Sequence, residues 1–241
     1  MSKNTRKDNY SQHFLRSPKI ALMLVGHSNI KKSDVTLDVG AGSGVFTYAL
    51  AKKSKHVYAV ELEKEASKKL KANTEQLKNV TVLRGDFLKF DLDSLPDNYK
   101  VCSNIPFHLS SKILDKLINS SNPPAAIYLI LQKQFAKKLT IGGRGFTSTF
   151  GAQIYPFFTT KIKKPLLKTD FTPPPAVDTV FFELKRRAEP LVRDAEKYLY
   201  MIERSFISPE FFAKLKKPVS LNGLKPSELT GEEWLEIFTS F

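Results

Sequence analysis

The run Asp38-Val39-Gly40-Ala41-Gly42-Ser43-Gly44 is the densest piece of chemistry in this 241-residue chain. Glycines at alternate positions let a backbone turn sharply and let a ligand approach it closely. The run follows the β-branched segment Val35–Val39 and precedes a helical pattern, so it reads as a strand–loop–helix turn that binds a nucleotide. Glu61 ends the next such run, Val57-Tyr58-Ala59-Val60, where a carboxylate can accept hydrogen bonds from both ribose hydroxyls. A third acid, Asp86, follows Val80–Gly85. The spacing G-x-G-x-G, rather than G-x-G-x-x-G, leans away from NAD and toward another adenosine cofactor, with NAD still open.

A second constellation is Asn104-Ile105-Pro106-Phe107, after the run Lys100–Cys102. An exocyclic amine on a planar base is a poor nucleophile because its lone pair is delocalised into the ring. The Asn104 side-chain oxygen and the Ile105 carbonyl could each accept one of its N–H groups and favour the pyramidal, nucleophilic form. Phe107 could stack on the base. No strong base is needed first, since the amine can lose its proton after it gains a substituent. Taken alone, Asn-x-Pro-aromatic is commonly a turn. Its place on the strand after Asp86 gives it weight.

The elements that must position these groups alternate. Ser17-Pro18 reads as a helix N-cap with proline at the first helical position, opening a helix through Ile20, Leu22, Met23 and Leu24. Strands are expected at Val35–Val39, Val57–Val60, Val80–Leu83, Lys100–Cys102 and Ile127–Leu131. Helices are expected at Phe46–Lys53, Glu63–Leu77 and Ser110–Ile118. Strands spaced by helices imply a mostly parallel sheet, whose carboxyl edge binds ligands. Beyond about residue 145, aromatic-rich runs at Gln153–Phe158 and Thr179–Leu184 flank a Lys/Pro-rich stretch and read as an antiparallel edge pair. From about Ala188 the pattern is helical, with Tyr198, Met201 and Ile202, then Trp234, Leu235 and Phe238, at helical spacing. Two domains follow: 1–187, with a basic arm at 1–16, and a small helical domain at 188–241.

Composition narrows the setting. Lys+Arg exceed Asp+Glu by 38 to 24, a net charge of +14, which points to a polyanionic partner. The excess is concentrated in residues 1–20 and 131–187; Lys225, Glu228, Glu232, Glu233 and Glu236 reverse the sign near the end. One cysteine, Cys102, excludes an internal disulfide framework, and His13, His27, His56 and His108 lack metal-ligand spacing. No run of roughly 20 apolar residues is present to span a bilayer. A cytoplasmic protein with no metal and no membrane partner is expected.

The ordered motifs Asp38–Gly44, Glu61, Asp86 and Asn104–Phe107 resemble those of class I S-adenosylmethionine-dependent methyltransferases acting on adenine N6. Ser11-Gln12-His13-Phe14-Leu15 and Phe171-Thr172-Pro173-Pro174-Pro175-Ala176-Val177-Asp178 narrow the resemblance to the ribosomal RNA adenine dimethyltransferases, over residues 10–187. The resemblance implies an α/β, Rossmann-like fold: a mostly parallel seven-stranded sheet with an antiparallel edge strand, plus a small all-helical C-terminal domain. It implies S-adenosylmethionine as cofactor, S-adenosylhomocysteine as product, ribosomal RNA as partner, and a monomer. By position, Gln12, His13 and Leu15 would meet the cofactor's methionine end. Gly40, Gly42 and Gly44 would form the turn beneath it, Glu61 would hold the ribose and Asp86 the adenine amino group. Asn104 would bridge cofactor and target amine, with Ile105 and Pro106 beside it, and Phe107 and Phe171 would sandwich the flipped adenine. Lys3, Arg6, Lys7, Lys133, Lys137, Lys138, Arg144, Lys161, Lys163 and Lys164 would track RNA phosphates.

Within the family, Leu131–Lys138, Thr169-Asp170-Phe171 and Glu189–Val192 resemble the Erm branch, which acts on 23S rRNA and gives macrolide resistance. The region Phe206–Glu210 lacks the basic stretch of the small-subunit (16S) branch. His13 points the other way, since most Erm sequences carry asparagine there. A non-enzymatic RNA-binding protein on this scaffold would be expected to lose Glu61 or Asn104, and both are present.

Overall fold

A computed structural model describes residues 13–141 and 146–241. The expected contacts Lys3, Arg6, Lys7, Gln12 and Arg144 lie outside the described residues. The main sheet has seven strands in the order β4-β3-β2-β5-β6-β9-β7. They are β2 (Val35–Val39), β3 (His56–Glu61), β4 (Val80–Arg84), β5 (Lys100–Ser103), β6 (Ala126–Gln132), β7 (Phe158–Leu166) and β9 (Thr179–Arg186). β4-β3-β2-β5-β6 pair in parallel, while the β9–β7 side brings antiparallel pairing to the edge. Six of the seven residues of β6 are buried, as expected of a strand covered on both faces.

Helices bridge the strands: α1 (Pro18–Gly26), α2 (Val45–Lys53), α3 (Lys64–Thr74) and α4 (Ser110–Ile118), and α5 (Lys133–Leu139) follows β6 in the chain. The Ser17 hydroxyl accepts from the Lys19 N–H with Pro18 at the first helical position, so the cap read from sequence is the one formed. Parallel pairing puts the carboxyl ends of β2, β3, β4 and β5 on one edge, which delivers Gly40, Glu61, Asp86 and Asn104 together.

Two features differ from expectation. Of residues 153–158 only Phe158 is in a strand: α6 (Thr149–Ile154), capped by Ser148, occupies the start of this region, and the strand begins at Phe158. Of its aromatics Phe157 feeds helix packing, against the core that holds Ala152, Tyr198, Met201 and Trp234. The Lys/Pro-rich stretch thought to connect two strands is itself the strand β7, ending the sheet with Lys161, Lys163, Lys164 and Pro165. Lysine and proline are the residues that keep an edge strand from pairing with other chains.

The chain divides into two compact units. One comprises Met1–Lys133 with Ile162–Leu184, the other Gln134–Lys161 with Lys185–Phe241. The helical unit therefore takes in residues 134–161 as well as the C-terminal segment read from sequence. Its core joins α6 to α7 (Ala195–Ile207), α8 (Pro209–Lys214) and α9 (Gly231–Thr239) through Tyr198, Met201, Ile202, Phe212 and Trp234. Among the described residues no helix is long and apolar enough to cross a membrane.

Candidate active site

A cavity of about 290 Å³ opens at the carboxyl edge of the sheet, lined by the Gly40–Ser43 loop, Glu61, Asp86, Asn104–Leu109 and His13–Leu15. Its floor is the glycine loop. Gly40 and Gly42 have φ of 65° and 57°, and a Cβ on Gly42 would stand 3.4 Å from the Phe14 ring. Gly44 differs. It adopts φ 96° as it opens α2 away from the cavity lining, where an added Cβ would come within 2.7 Å of Leu70 on α3. It serves helix packing rather than the ligand.

Glu61 is buried, and the loop itself orients it: Oε2 accepts from the Gly42 N–H at 2.7 Å and Oε1 from the Glu63 N–H at 2.8 Å. Each oxygen retains a lone pair for a ribose hydroxyl. Asp86 caps a short 3₁₀ turn, Phe87–Lys89, with Oδ1 accepting from the Leu88 N–H at 2.9 Å, which leaves Oδ2 for a ligand donor. Asp38 closes the bottom as a buried acid. Its Oδ2 accepts from the Thr47 hydroxyl at 2.7 Å, and the neighbouring Ser103 hydroxyl accepts from the Val39 N–H at 2.7 Å. Burial is the main cause that pushes the Asp38 carboxyl up to about 7; the Glu61 charge adds to it, and the Thr47 and Ser103 hydroxyls oppose it.

Asn104 stands where β5 leaves the sheet, and its Nδ2 donates to the His13 carbonyl at 2.6 Å. That bond fixes the amide orientation and leaves Oδ1 as the acceptor. The Phe107 ring lines the same cavity beside the His13 ring, centroids 5.4 Å apart and tilted by 32°. His13 Nδ1 lies 2.8 Å from the Pro173 carbonyl; since a carbonyl only accepts, Nδ1 carries the proton.

The two outlying motifs meet here. β1 (Phe14–Leu15) pairs antiparallel with β8 (Phe171–Thr172), with Leu15 opposite Phe171 and Phe14 opposite Thr172. Arg16 strengthens the join through its N–H to the Asp170 carbonyl and its Nε to the Thr172 hydroxyl. This register corrects one expectation. Cross-strand partners share a face, so Leu15 and Phe171 turn inward together and Phe171 is fully buried in the core. The Phe171 ring is not part of the cavity lining, and the ring standing beside Phe107 is that of His13. Phe14, almost half exposed and over the glycine loop, lines the cavity instead.

Sequence reasoning missed Phe14, Thr47 and Ser103. Phe14 was within reach, because alternation in a strand puts it on the face opposite Leu15. Thr47 and Ser103 carry no local signal.

The expected basic residues are not equivalent. Lys163 Nζ stands 3.4 Å from Glu183, a pair with little solvent exposure, so it is an ion pair of the sheet rather than a phosphate contact. Lys133 pairs loosely with Asp178 at 3.6 Å on the surface. Cys102 is buried in the core, where desolvation pushes its thiol well up and keeps it unreactive. Among the described residues no group of His, Cys, Asp and Glu is arranged to hold a metal.

Residues 3–215 match the sequence model of the family described as "Ribosomal RNA adenine dimethylase". The chain belongs to this family. A relative from Escherichia coli named "rRNA adenine N-6-methyltransferase" is 31% identical over 253 residues, covering 100% of this chain and 97% of that one. A "Ribosomal RNA small subunit methyltransferase A" of Clostridium botulinum (strain ATCC 19397 / Type A) is 26% identical over 204 residues, covering 82% of this chain and 74% of its own. Among solved structures, "23S rRNA methyltransferase ErmE" superposes with a TM-score of 0.82 at 24% identity, over 94% of this chain and 98% of that one. At that identity the likeness speaks for the fold, which is that of the S-adenosylmethionine-dependent methyltransferases. Both motifs that join through β1 and β8 lie within the span matched by the dimethylase family.

Proposed function

We propose that this member of the dimethylase family transfers a methyl group from S-adenosylmethionine to N6 of an adenine in 23S rRNA, as an Erm-type resistance enzyme. The observation that carries the chemistry is Asn104, its amide tied to the His13 carbonyl and its oxygen left to accept from an amine. The residues fit the cofactor. Glu61 has acceptor capacity for two hydroxyls, Asp86 for an adenine amine, and Gly40 and Gly42 leave backbone bare beneath. When bound, the cofactor supplies an electrophilic methyl on a sulfonium.

The chain's own residues do the rest. Asn104 Oδ1 and the Ile105 carbonyl hold the target N–H groups, which draws the amine lone pair out of conjugation and toward the methyl. Phe107 gives the base an aromatic face inside the cavity. The surrounding wall, with Ile105 buried and Phe87 and Leu88 beside it, keeps water from competing. The amine proton leaves to solvent after transfer.

The 23S reading is supported by 31% identity over 97% of a relative named for adenine N-6 methylation, against 24–26% identity over 74–83% of the small-subunit relatives. His13 favours the small-subunit reading. The two separate by labelled methyl transfer to protein-depleted 23S rRNA and to immature 30S particles, with the labelled base mapped by primer extension. Label at an adenine of the peptidyl-transferase loop is the expected result; label confined to the 30S particle would move the enzyme to ribosome maturation.

Lys137, Lys138, Lys161 and Lys164 are the described lysines we assign to RNA phosphates, with Lys163 set aside by its Glu183 partner. Replacing Lys161 and Lys164 with alanine should reduce the magnitude of the slope of log K against log salt by about 1 to 2. Lys163→Ala should leave that slope unchanged while lowering the melting temperature. Filter binding across a salt series checks both.

A further inference from the structure

Leu167 contributes nothing to the core. It follows the end of β7, is 69% exposed, and is more open than any other large apolar side chain described in its unit. Leaving a leucine in water forgoes the stabilisation that its burial would give. A lone exposed leucine on a loose loop needs no explanation, but this one is held firmly. Its N–H donates to Asp170 Oδ2 at 2.9 Å and its carbonyl accepts from the Asp170 N–H at 3.0 Å, closing a 3₁₀ turn over Lys168–Asp170. The Asp170 carbonyl accepts from the Arg16 N–H, Arg16 Nε donates to the Thr172 hydroxyl, and Lys168 Nζ donates to the Ala176 carbonyl at 2.7 Å. The turn is thereby joined to the β1–β8 pair, whose next residue, Pro173, holds His13 at the cavity wall.

The surroundings narrow the partner. Lys164 and Lys168 flank the leucine in the chain, and Val177, 44% exposed, follows the Ala176 that Lys168 grips. The acids of the two turns are engaged, Asp170 by the Leu167 N–H and Asp178 by Lys133 at 3.6 Å. Neither Leu167 nor Val177 lines the cavity, so neither meets the cofactor. Cations around an apolar point suit a ligand that is anionic outside and apolar within, and a stacked nucleic acid has that chemistry.

We propose that Leu167 is the wedge that enters the RNA stack when the target adenine leaves it. This rests on the adenine-methylation reading and adds the step that precedes transfer. An adenine must swing out before its N6 can reach Asn104, and the gap it leaves exposes the faces of two neighbouring bases. A leucine on a rigid turn covers those faces and opposes the base's return, as apolar side chains do at kinked steps. Lys164 and Lys168 meet phosphates on either side of the gap. No bond is made or broken in this step; the wedge lowers the cost of the flipped state and leaves methyl transfer to the cavity.

The test uses the full chain and an RNA hairpin that contains the adenine mapped by primer extension. A second hairpin has abasic sites on both sides of that adenine, so there is no stack to leave and no face to cover. A third carries 2-aminopurine at the target position, a base that brightens when it unstacks. Leu167→Ala should lower kcat/KM on the intact hairpin by about 10- to 100-fold, the scale set by unstacking one base step. On the abasic-flanked hairpin the loss should be less than about threefold, since little stacking is left to break. With Leu167→Ala the 2-aminopurine signal, bright with the wild-type chain, should stay near that of free RNA. Leu167→Met, which keeps an apolar side chain of similar reach, should restore both. The Kd for S-adenosylhomocysteine should be the same in all three proteins, because the residue lies outside the cavity. Equal losses on the intact and abasic-flanked hairpins would overturn the proposal, as would wild-type turnover or wild-type fluorescence from Leu167→Ala. Failure of the wild-type chain to methylate adenine in any rRNA would overturn the methylation reading and this inference with it.

Discussion

Asn104→Ala should lower kcat for methyl transfer by about 100- to 1000-fold, the scale on which a single preorganised polar group at a reacting atom acts. Binding of S-adenosylhomocysteine should weaken far less, because Glu61, Asp86 and the glycine loop remain in place. Single-turnover methylation together with calorimetric titration separates the two quantities. The split is informative because Asn104 has a second job: its Nδ2 holds the His13 carbonyl at 2.6 Å and so ties down the β1 strand. Asn104→Asp sharpens the test. It keeps an acceptor oxygen but loses the donor, so losses equal to those of alanine would assign the residue to holding β1 rather than to the amine. Proportional losses in turnover and cofactor affinity from Asn104→Ala would also refute its role at the target.

Glu61→Ala should have the largest effect on cofactor affinity, with Kd for S-adenosylhomocysteine raised about 100-fold. Hydrogen bonds to a charged acceptor contribute about 1.5–3 kcal/mol each. The same carboxylate also accepts from the Gly42 and Glu63 backbone N–H groups in a buried setting, so its loss leaves donors unmet and loosens the loop. A lower melting temperature of the ligand-free protein should therefore accompany the weaker binding. Glu61→Gln keeps one acceptor oxygen and should fall between. Thermal shift with and without S-adenosylhomocysteine measures both effects, and an unchanged ligand-induced shift in Glu61→Ala would remove this residue from the ribose site.

Much of this arrangement was legible because it is local. The Ser17 cap, the strand–glycine–helix turn and the acid closing each strand depend on neighbours within a few residues, and periodicity reports such neighbours faithfully. The strand β7 was hidden for a physical reason. An edge strand is solvated along one side and can carry Lys161, Lys163, Lys164 and Pro165, which in a sequence have the look of a connection. The aromatic run at 153–158 invited the opposite error, because Phe157 packs on the helical core and only Phe158 of the run enters a sheet.

In the site, Gly40, Gly42, Glu61, Asp86 and Asn104–Phe107 are brought to one cavity, and Gly44 is not. What sequence could not supply was the pairing of Leu15 with Phe171, and it is this register that sends Phe171 into the core and Phe14 to the cavity. The Lys163–Glu183 pair was equally invisible, since nothing in a run of lysines tells which one has an acid across the strand.

The ladder of β1 and β8 also sets a clock on the enzyme's birth. His13 and Pro173 are 160 residues apart, so the first wall of the cavity leaves the ribosome long before the segment that pins it. At about 5–20 residues per second, synthesis separates them by roughly 10–30 s. Throughout that interval the nascent chain can complete β2 to β6 and its glycine loop, while His13 and Phe14 have no partner strand to hold them. Competence at the target base therefore arrives late and abruptly, as Pro173 emerges, and a chain interrupted before that point would carry most of a nucleotide site with no means of finishing it.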